Sequence, residues 1–462
     1  MRETAEKRSF LPRGISLLAG LLVLVAFGLE ILRAGPPPEI SIRPAIRMIG
    51  RRTPVTVEVT EPKRGLSYIK VEFVQGDRVE SLAERSYSYQ PALAFWGART
   101  ARDTIVVQVG RETIIGLKAG QATIRVTAGR TGTWLRRPDP TRQEITLSVR
   151  LSPPSLQVIS TQIYVAQGGC EAVVYRVGES SVRDGVRAGS WWFPGYPLPG
   201  GGKGEHFAFF AVPYDMNTPD ARLVAADAAE NEAELKLVDQ FFPRKFKEDA
   251  VDLSDAFMSK VVPEIMAQTP ELQDRGNLLD NYLEINTGLR QKNAEALKDL
   301  AKKSRQEFLW SRPFLSLQNG KVMAGFADYR TYTYKGKTVD HETHLGYDLA
   351  VTRHAPVPAA NDGVVVHAAY FGIYGNSVVI DHGYGVMSLY GHLSLISVTP
   401  GQKVARGDII GRTGETGLAG GDHLHFAVIL DGLPVNPVEW WDGHWINDRI
   451  ARKLGTYFHV TG

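Results

Sequence analysis

Eleven histidines occur in this chain of 462 residues, and ten of them lie after residue 340. Imidazole both titrates near neutral pH and binds transition metals, so this lopsided distribution marks the C-terminal third as the place to look for chemistry. Three local arrangements stand out there. In His344-Leu345-Gly346-Tyr347-Asp348 an imidazole and a carboxylate lie four residues apart around a flexible glycine, within reach of one cation. His423-Leu424-His425-Phe426 falls in an apolar run that reads as a strand, whose period of two sends both imidazoles to one face. Tyr390-Gly391-His392-Leu393 presents a further histidine where a strand-like run meets a turn.

Taken singly, each of these histidines reads as solvated or hydrogen-bonded. Their conjunction is sufficient for a hydrolytic zinc site, which needs three protein ligands and an open position for water, and for which two His and a carboxylate are an established set. The remaining two imidazoles could then move a proton or hold a developing oxyanion. Spacing alone does not separate ligand from base, and either His423 or His425 could reach the metal. The single cysteine, Cys170, excludes an intrachain disulfide and a thiolate-rich zinc site. It precedes the apolar run Ala172 to Tyr175 and reads as a buried structural thiol. Solvated or structural roles fall to His206, His341, His354, His367, His382, His444 and His459, with His341 near enough to His344 in sequence to approach the metal or substrate.

The order His344-x-x-x-Asp348, Tyr374-Gly375-Asn376, His392, His423-x-His425, with Gly401-Gln402-Lys403-Val404 and Gly407-Asp408-Ile409-Ile410-Gly411 between, resembles the lysostaphin-type (LytM-like) zinc metallopeptidases. The likeness covers the stretch from Gly320 to Trp441. It implies that His344, Asp348 and His425 bind one zinc ion and that His392 and His423 are catalytic. It also implies a β-rich, mostly antiparallel domain with a groove that cleaves peptide bonds in the stem peptides or cross-bridges of peptidoglycan. Asp422 stands where relatives commonly carry Pro, and Gly391 where Ala is frequent. Neither change removes a ligand, but together with the tyrosine-rich approach from Tyr329 to His341 they leave the bond cut open. Two rival readings differ in class. An inactive relative serving as a scaffold or activator of other wall hydrolases would be expected to lack ligands, whereas all five positions are filled here. A biotinyl or lipoyl carrier would need a lysine at a hairpin tip, and neither Lys403 nor Lys453 has that context.

The elements that must deliver these residues are spread along a long chain. Its length calls for several domains, and the 46 Gly and 26 Pro scattered through it suggest turns between short strands. Arg2, Lys7, Arg8 and Arg13 precede an apolar stretch, residues 15–32, which at about 1.5 Å per residue spans roughly 27 Å and suits an uncleaved transmembrane anchor. The basic flank would stay cytoplasmic, giving a single-pass protein of the cytoplasmic membrane with its bulk in the periplasm or cell-wall space. Residues 1–35 are then tail and anchor, 36–152 a first β-sandwich and 153–245 a second, both immunoglobulin-like. Residues 246–310 form a helical connector, 311–445 the zinc peptidase domain and 446–462 a C-terminal tail. The fold class is mainly β and multi-domain. A formal charge of +3 over this length, with no Lys/Arg stripe, argues against nucleic acid. The β domains and connector could position the peptidase, cover its groove, or dock a protein partner.

Overall fold

The computed structural model describes residues 11–34, 36–88, 98–132, 137–455 and 458; His459 lies outside them. Strand outweighs helix, 44% to 17%, so the chain is mainly β. It divides into two compact units, Met1–Pro153 with Asp227–Asn231, and Pro154–Ala226 with Glu232–Gly462.

In the first unit the N-terminal helix α1 (Leu11–Ala34) turns apolar side chains such as Leu17, Val23 and Phe27 outward. Its described side chains run only from Gly14 to Gly28, about 22 Å at the helical rise. Among the described residues no helix is long and apolar enough to cross a membrane, so the expected transmembrane helix is not found there. Beyond α1, a three-stranded sheet (Glu39–Pro44, Thr53–Thr60, Arg102–Val109) faces a five-stranded one that includes Leu66–Gln75 and Gly120–Arg130. Alternation builds this sandwich. Val55, Val57 and Val59 point into a core shared with Ile69, Val71 and Phe73 of the other sheet, while Thr56 and Glu58 lie on the outer face.

The second unit begins with two four-stranded sheets. Cys170–Val177 and Glu205–Ala211 pair at the centre of one, and Ser181–Ala188 and Ala221–Asp227 lie adjacent in the other. The run Leu156 to Val165, which reads as one strand in sequence, breaks into Leu156–Val158 and Tyr164–Ala166, with Gln162 between them at φ +57°. Cys170 is buried, and burial pushes its thiol well above the ordinary range. The aromatic core of these sheets continues into the C-terminal domain, where Phe207 meets Tyr384 at 4.9 Å and Phe308 at 5.6 Å between ring centroids. The segment set apart in sequence as a C-terminal tail joins this core. Ile446, Ile450, Leu454 and Phe458 are buried there, and Lys453 meets the buried Glu171 at 2.8 Å.

The connector is more than helices. It opens with the strand Glu248–Asp252, which pairs in parallel with Asp328–Tyr334. Ser254 then caps α2 (Asp255–Gln268) by accepting from the Phe257 N–H, and Asn277 caps α3 (Leu278–Leu283) in the same way from Asp280. The chain passes from α3 through a π-helical turn, Glu284–Leu289, into α4 (Arg290–Ala301).

The C-terminal domain is organised by an antiparallel sheet whose central strands are Tyr347–Ala350, Leu424–Leu430, Val386–Gly391, Asn376–Gly383 and Gly363–Tyr370. Every residue of Leu424–Leu430 is buried because both faces of the sheet are covered. Leu297 and Ala301 of α4 lie on one face with Met387, Leu389 and Ile429, and Phe426 and Val428 enter the aromatic core on the other.

Candidate metal centre and its groove

Strand pairing assembles the ligands. Asp348 and His425 are direct cross-strand partners, and His344 ends the strand Lys337–His344 four residues earlier. His344 Nε2 lies 2.9 Å from Asp348 Oδ1 and 3.1 Å from His425 Nδ1, and the last two atoms are 3.0 Å apart. Atoms bound at about 2.0–2.1 Å to one tetrahedral zinc stand roughly 3.3 Å from each other, so the triangle has the right size. The His344 tautomer agrees. His344 Nδ1 donates to the Gly325 carbonyl at 2.8 Å, which leaves the Nε2 lone pair facing the centre. Three groups that offer lone pairs to one point call for a cation there, and the donor set of two imidazoles and a carboxylate fits zinc.

Electrostatics follow from burial and proximity. Burial alone would raise the Asp348 carboxyl, but His344 and the bonds from His423 and His425 outweigh it and hold the group well below the usual range. Burial lowers His425 to about 4, keeping the ring neutral as a ligand must be. For His392, burial and then the adjacent His423 and His425 depress the pKa strongly. His423 moves the other way: burial lowers it most, but the hydrogen bond and the charge of Asp348, with the bond to the Gly421 carbonyl, together outweigh burial.

His392 and His423 stand beside the triad with ring centroids 4.8 Å apart. Each is anchored through Nδ1, His392 to the Thr416 carbonyl and His423 to that of Gly421, both at 2.8 Å, so each turns Nε2 away from its anchor. His392 has φ +62°, an uncommon backbone state for a non-glycine residue, and its N–H bond to the Tyr374 carbonyl helps fix it there. His423 precedes the strand rather than lying within it, held by a bridge to Gly414. All five residues singled out in sequence are thus brought together. His341 is not among them; it stacks on Tyr329 and bonds to Thr331. His382 is sealed in the core, its Nδ1 and Nε2 each 2.7 Å from the Asp362 carbonyl and Ser388 Oγ. His206 meets Asp184 at 2.7 Å, and His367 packs on Phe371.

Arg330 was not anticipated. Its guanidinium meets Asp348 Oδ2 at 3.1 Å, opposite the oxygen that faces the histidines. Only the register of the hairpin Asp328–Tyr334/Lys337–His344 brings it there, and no local motif announces that. Asp422, the departure from the common Pro, accepts from the Thr413 hydroxyl at 2.6 Å and from the His354 N–H at 3.1 Å, fixing the loop ahead of His423.

The centre opens into a cavity of about 340 Å³. The connector supplies its opposite wall through Val251, Asp252, Phe257, Tyr282, Asn286 and Arg290. Asn286 also donates to Asp340 at 2.8 Å, and Glu264 of α2 accepts from the Gly417 N–H at 3.0 Å, so the connector grips both banks of the groove.

Residues 342–437 match the model of Peptidase family M23, an interval that holds all five site residues, and the chain carries an M23 domain there. Over 95 residues the chain is 45% identical to the DD-carboxypeptidase/endopeptidase Mpg of Neisseria meningitidis serogroup B, covering 21% of this chain and 22% of that protein. Over 172 residues it is 33% identical to the peptidoglycan DD-endopeptidase ShyA of Vibrio cholerae serotype O1, covering 37% of each. The chain therefore spans between about a fifth and somewhat over a third of the length of these curated relatives. A Pseudomonas aeruginosa crystal structure that carries the peptidase M23 name aligns over 60% of this chain and 94% of its own, at 20% identity and a TM-score of 0.37.

Proposed function

We propose that this chain is a zinc-dependent endopeptidase that hydrolyses the peptide cross-links of peptidoglycan outside the cytoplasmic membrane, held there by residues 15–32. The observation that carries this reading is the meeting of His344 Nε2, Asp348 Oδ1 and His425 Nδ1 within about 3 Å of one another, with His392 and His423 beside them. The named activities of the relatives support the substrate class.

His344, Asp348 and His425 would hold the ion, and a zinc bound there supplies Lewis acidity for a carbonyl and for the attacking water at neutral pH. Arg330 fixes the outer oxygen of Asp348 so that the inner one stays turned to the histidines. His392, neutral through burial and anchored at Nδ1, is set to accept a proton or a hydrogen bond at Nε2. His423, shifted upward by Asp348, is the better proton donor of the pair and is set to supply the departing amine. Tyr374, whose ring centroid lies 5.3 Å from that of His425, walls the cavity and excludes water.

In this conformation the connector walls the groove opposite the metal centre. A scaffold would need no intact ligand set, so we read this arrangement as the resting form of an enzyme whose connector can cover the groove. Digesting purified peptidoglycan with the zinc-loaded chain and weighing the muropeptides tests the proposal. Cleaved cross-links are expected, together with about one zinc per chain. His425→Ala should lose the metal and at least about a thousandfold in rate, since both roles of the ion go with it. Intact cross-links after prolonged digestion, or undiminished zinc in the variant, would sink it.

A further inference from the structure

A second cleft, of about 650 Å³, opens between the second β domain and the end of α4, within the size range of small-ligand sites. One wall is aromatic and rigid. Trp191, Trp192 and Tyr196 are half-buried there, with Pro194 and Pro197 beside them. The other wall is polar, made by Lys298, Lys302, Ser304 and Gln306. Between the walls sits Asp431, in the turn after the strand Leu424–Leu430 at φ +48°. Among the described residues no hydrogen bond or ion pair reaches its carboxylate, and burial pushes its pKa up to about 8. Lys298, on the other wall, places its ammonium over the Trp191 ring, 4.4 Å from the centroid.

This cleft and the catalytic groove share walls with a third space. A trench of about 440 Å³ shares Trp191 and Lys298 with it, and shares Arg290, Tyr374 and His425 with the cavity at the metal centre. The chemistry selects the occupant. A pyranose ring offers an apolar C–H face to an aromatic side chain and a rim of hydroxyl and acetamido groups to polar partners. A carboxyl kept neutral by burial both donates to and accepts from such groups, and Lys and Gln supply further donors. A purely apolar ligand would leave Asp431 unpaired.

We propose that this cleft binds a stretch of neutral, N-acetylated amino-sugar glycan, the backbone of the same polymer whose peptides enter the trench. The inference rests on the substrate class proposed above, but its test does not need turnover. The full chain, with metal removed by chelation, is titrated calorimetrically with a tetramer of N-acetylglucosamine. Saturable binding near about 1 mM or tighter is expected, the level of a weak polymer subsite. Trp191→Ala should weaken it at least tenfold and Trp191→Phe should restore most of it, which separates loss of a stacking face from loss of fold. Should Trp191→Ala fail to fold, the exposed double variant Lys302→Glu/Gln306→Ala should weaken binding several-fold. No saturable heat with the native chain overturns the proposal. So does unchanged affinity in a folded Trp191→Ala protein, or equal binding of a glycan-free stem peptide at the same site. Failure of peptidoglycan cleavage with glycan binding intact would instead overturn the catalytic reading alone.

Discussion

The two ends of the connector are built differently. α4 is part of the peptidase core, with Leu297 and Ala301 packed against Val379, Met387, Leu389 and Ile429 of the sheet. By contrast α2 and α3 pack chiefly on each other. Met258, Val261, Val262 and Ile265 face Tyr282, Ile285 and Leu289, and among the fully buried members of that cluster only Tyr332 and Ile373 come from the peptidase domain. The outer attachments of α2 are largely polar, with Lys260 on Glu415 at 2.8 Å, Glu264 on the Gly417 N–H, and Asp255 accepting from the Tyr334 hydroxyl at 2.6 Å. One end is held as a core is held, and the other as a cover is held. The difference predicts that α2 can lift from the groove without unfolding the sheet that builds the site, since most of its apolar partners belong to the connector itself.

The sharpest test of this division is truncation on each side. Leu389→Ala, beneath α4, should cost about 2–5 kcal/mol and lower the unfolding transition of the peptidase domain, as cavities in a packed core do. Ile265→Ala, within the α2–α3 cluster, should leave that transition within about 1 kcal/mol of the parent while amide exchange in α2 and α3 speeds up. If both variants lowered the same transition equally, cover and core would be one cooperative body.

Acid should act on the core side through His382. Burial lowers His382 to about 4 from an ordinary 6.5, so the unfolded chain binds a proton that the folded chain refuses. The stability from keeping this ring neutral is present above pH 6.5, falls as pH drops from there, and has gone by about pH 4. The loss is roughly 3 kcal/mol at about 1.4 kcal/mol per unit. Denaturant melts at pH 7 and pH 4.5 measure it, and His382→Gln should reduce the difference, leaving the part due to the other buried histidines His392 and His425. An unaltered slope in a folded variant would remove His382 as its source.

What the sequence disclosed follows the same line between local and distant causes. The five groups of the centre were legible because a strand period and a four-residue spacing are local properties, and because histidine is scarce elsewhere in the chain. The strands of the sheet were legible where apolar residues run together, as in Leu424–Leu430. Several elements were hidden by polarity. Arg78–Ser86 and Glu248–Asp252 carry mostly charged and polar side chains with only a few apolar ones between, and each is an edge strand held by its single neighbour. Ser181–Ala188 carries two arginines and an aspartate and takes its place only through partners on both sides. Arg330 was invisible for a related reason, since its meeting with Asp348 depends on a hairpin register and a tertiary approach.

That pair offers an intermediate test, lying in the hairpin between cover and core. Arg330→Gln should keep the sheet intact and weaken zinc binding about 10- to 100-fold, the usual effect of removing a group that orients a ligand. Competition with a chromophoric chelator reads this directly. Unchanged affinity would mean that the His425 pairing alone orients the carboxylate.

The smallest effect should come from the cover's outer edge. Lys260→Glu replaces an attraction to Glu415 by repulsion at a half-exposed site, where such pairs contribute about 0–1 kcal/mol. The melting transition of the sheet should not move, but the open fraction of the groove should rise by up to about fivefold, the factor that 1 kcal/mol carries. Peptidoglycan hydrolysis should rise with it. Because the contact is exposed, the gain should shrink as salt is raised through about 0.15 M, where charges beyond roughly 8 Å are screened. A rate that stays at the parent value at low salt would mean that α2 does not gate the groove, and that polymer enters along the trench beside α4 with the cover in place.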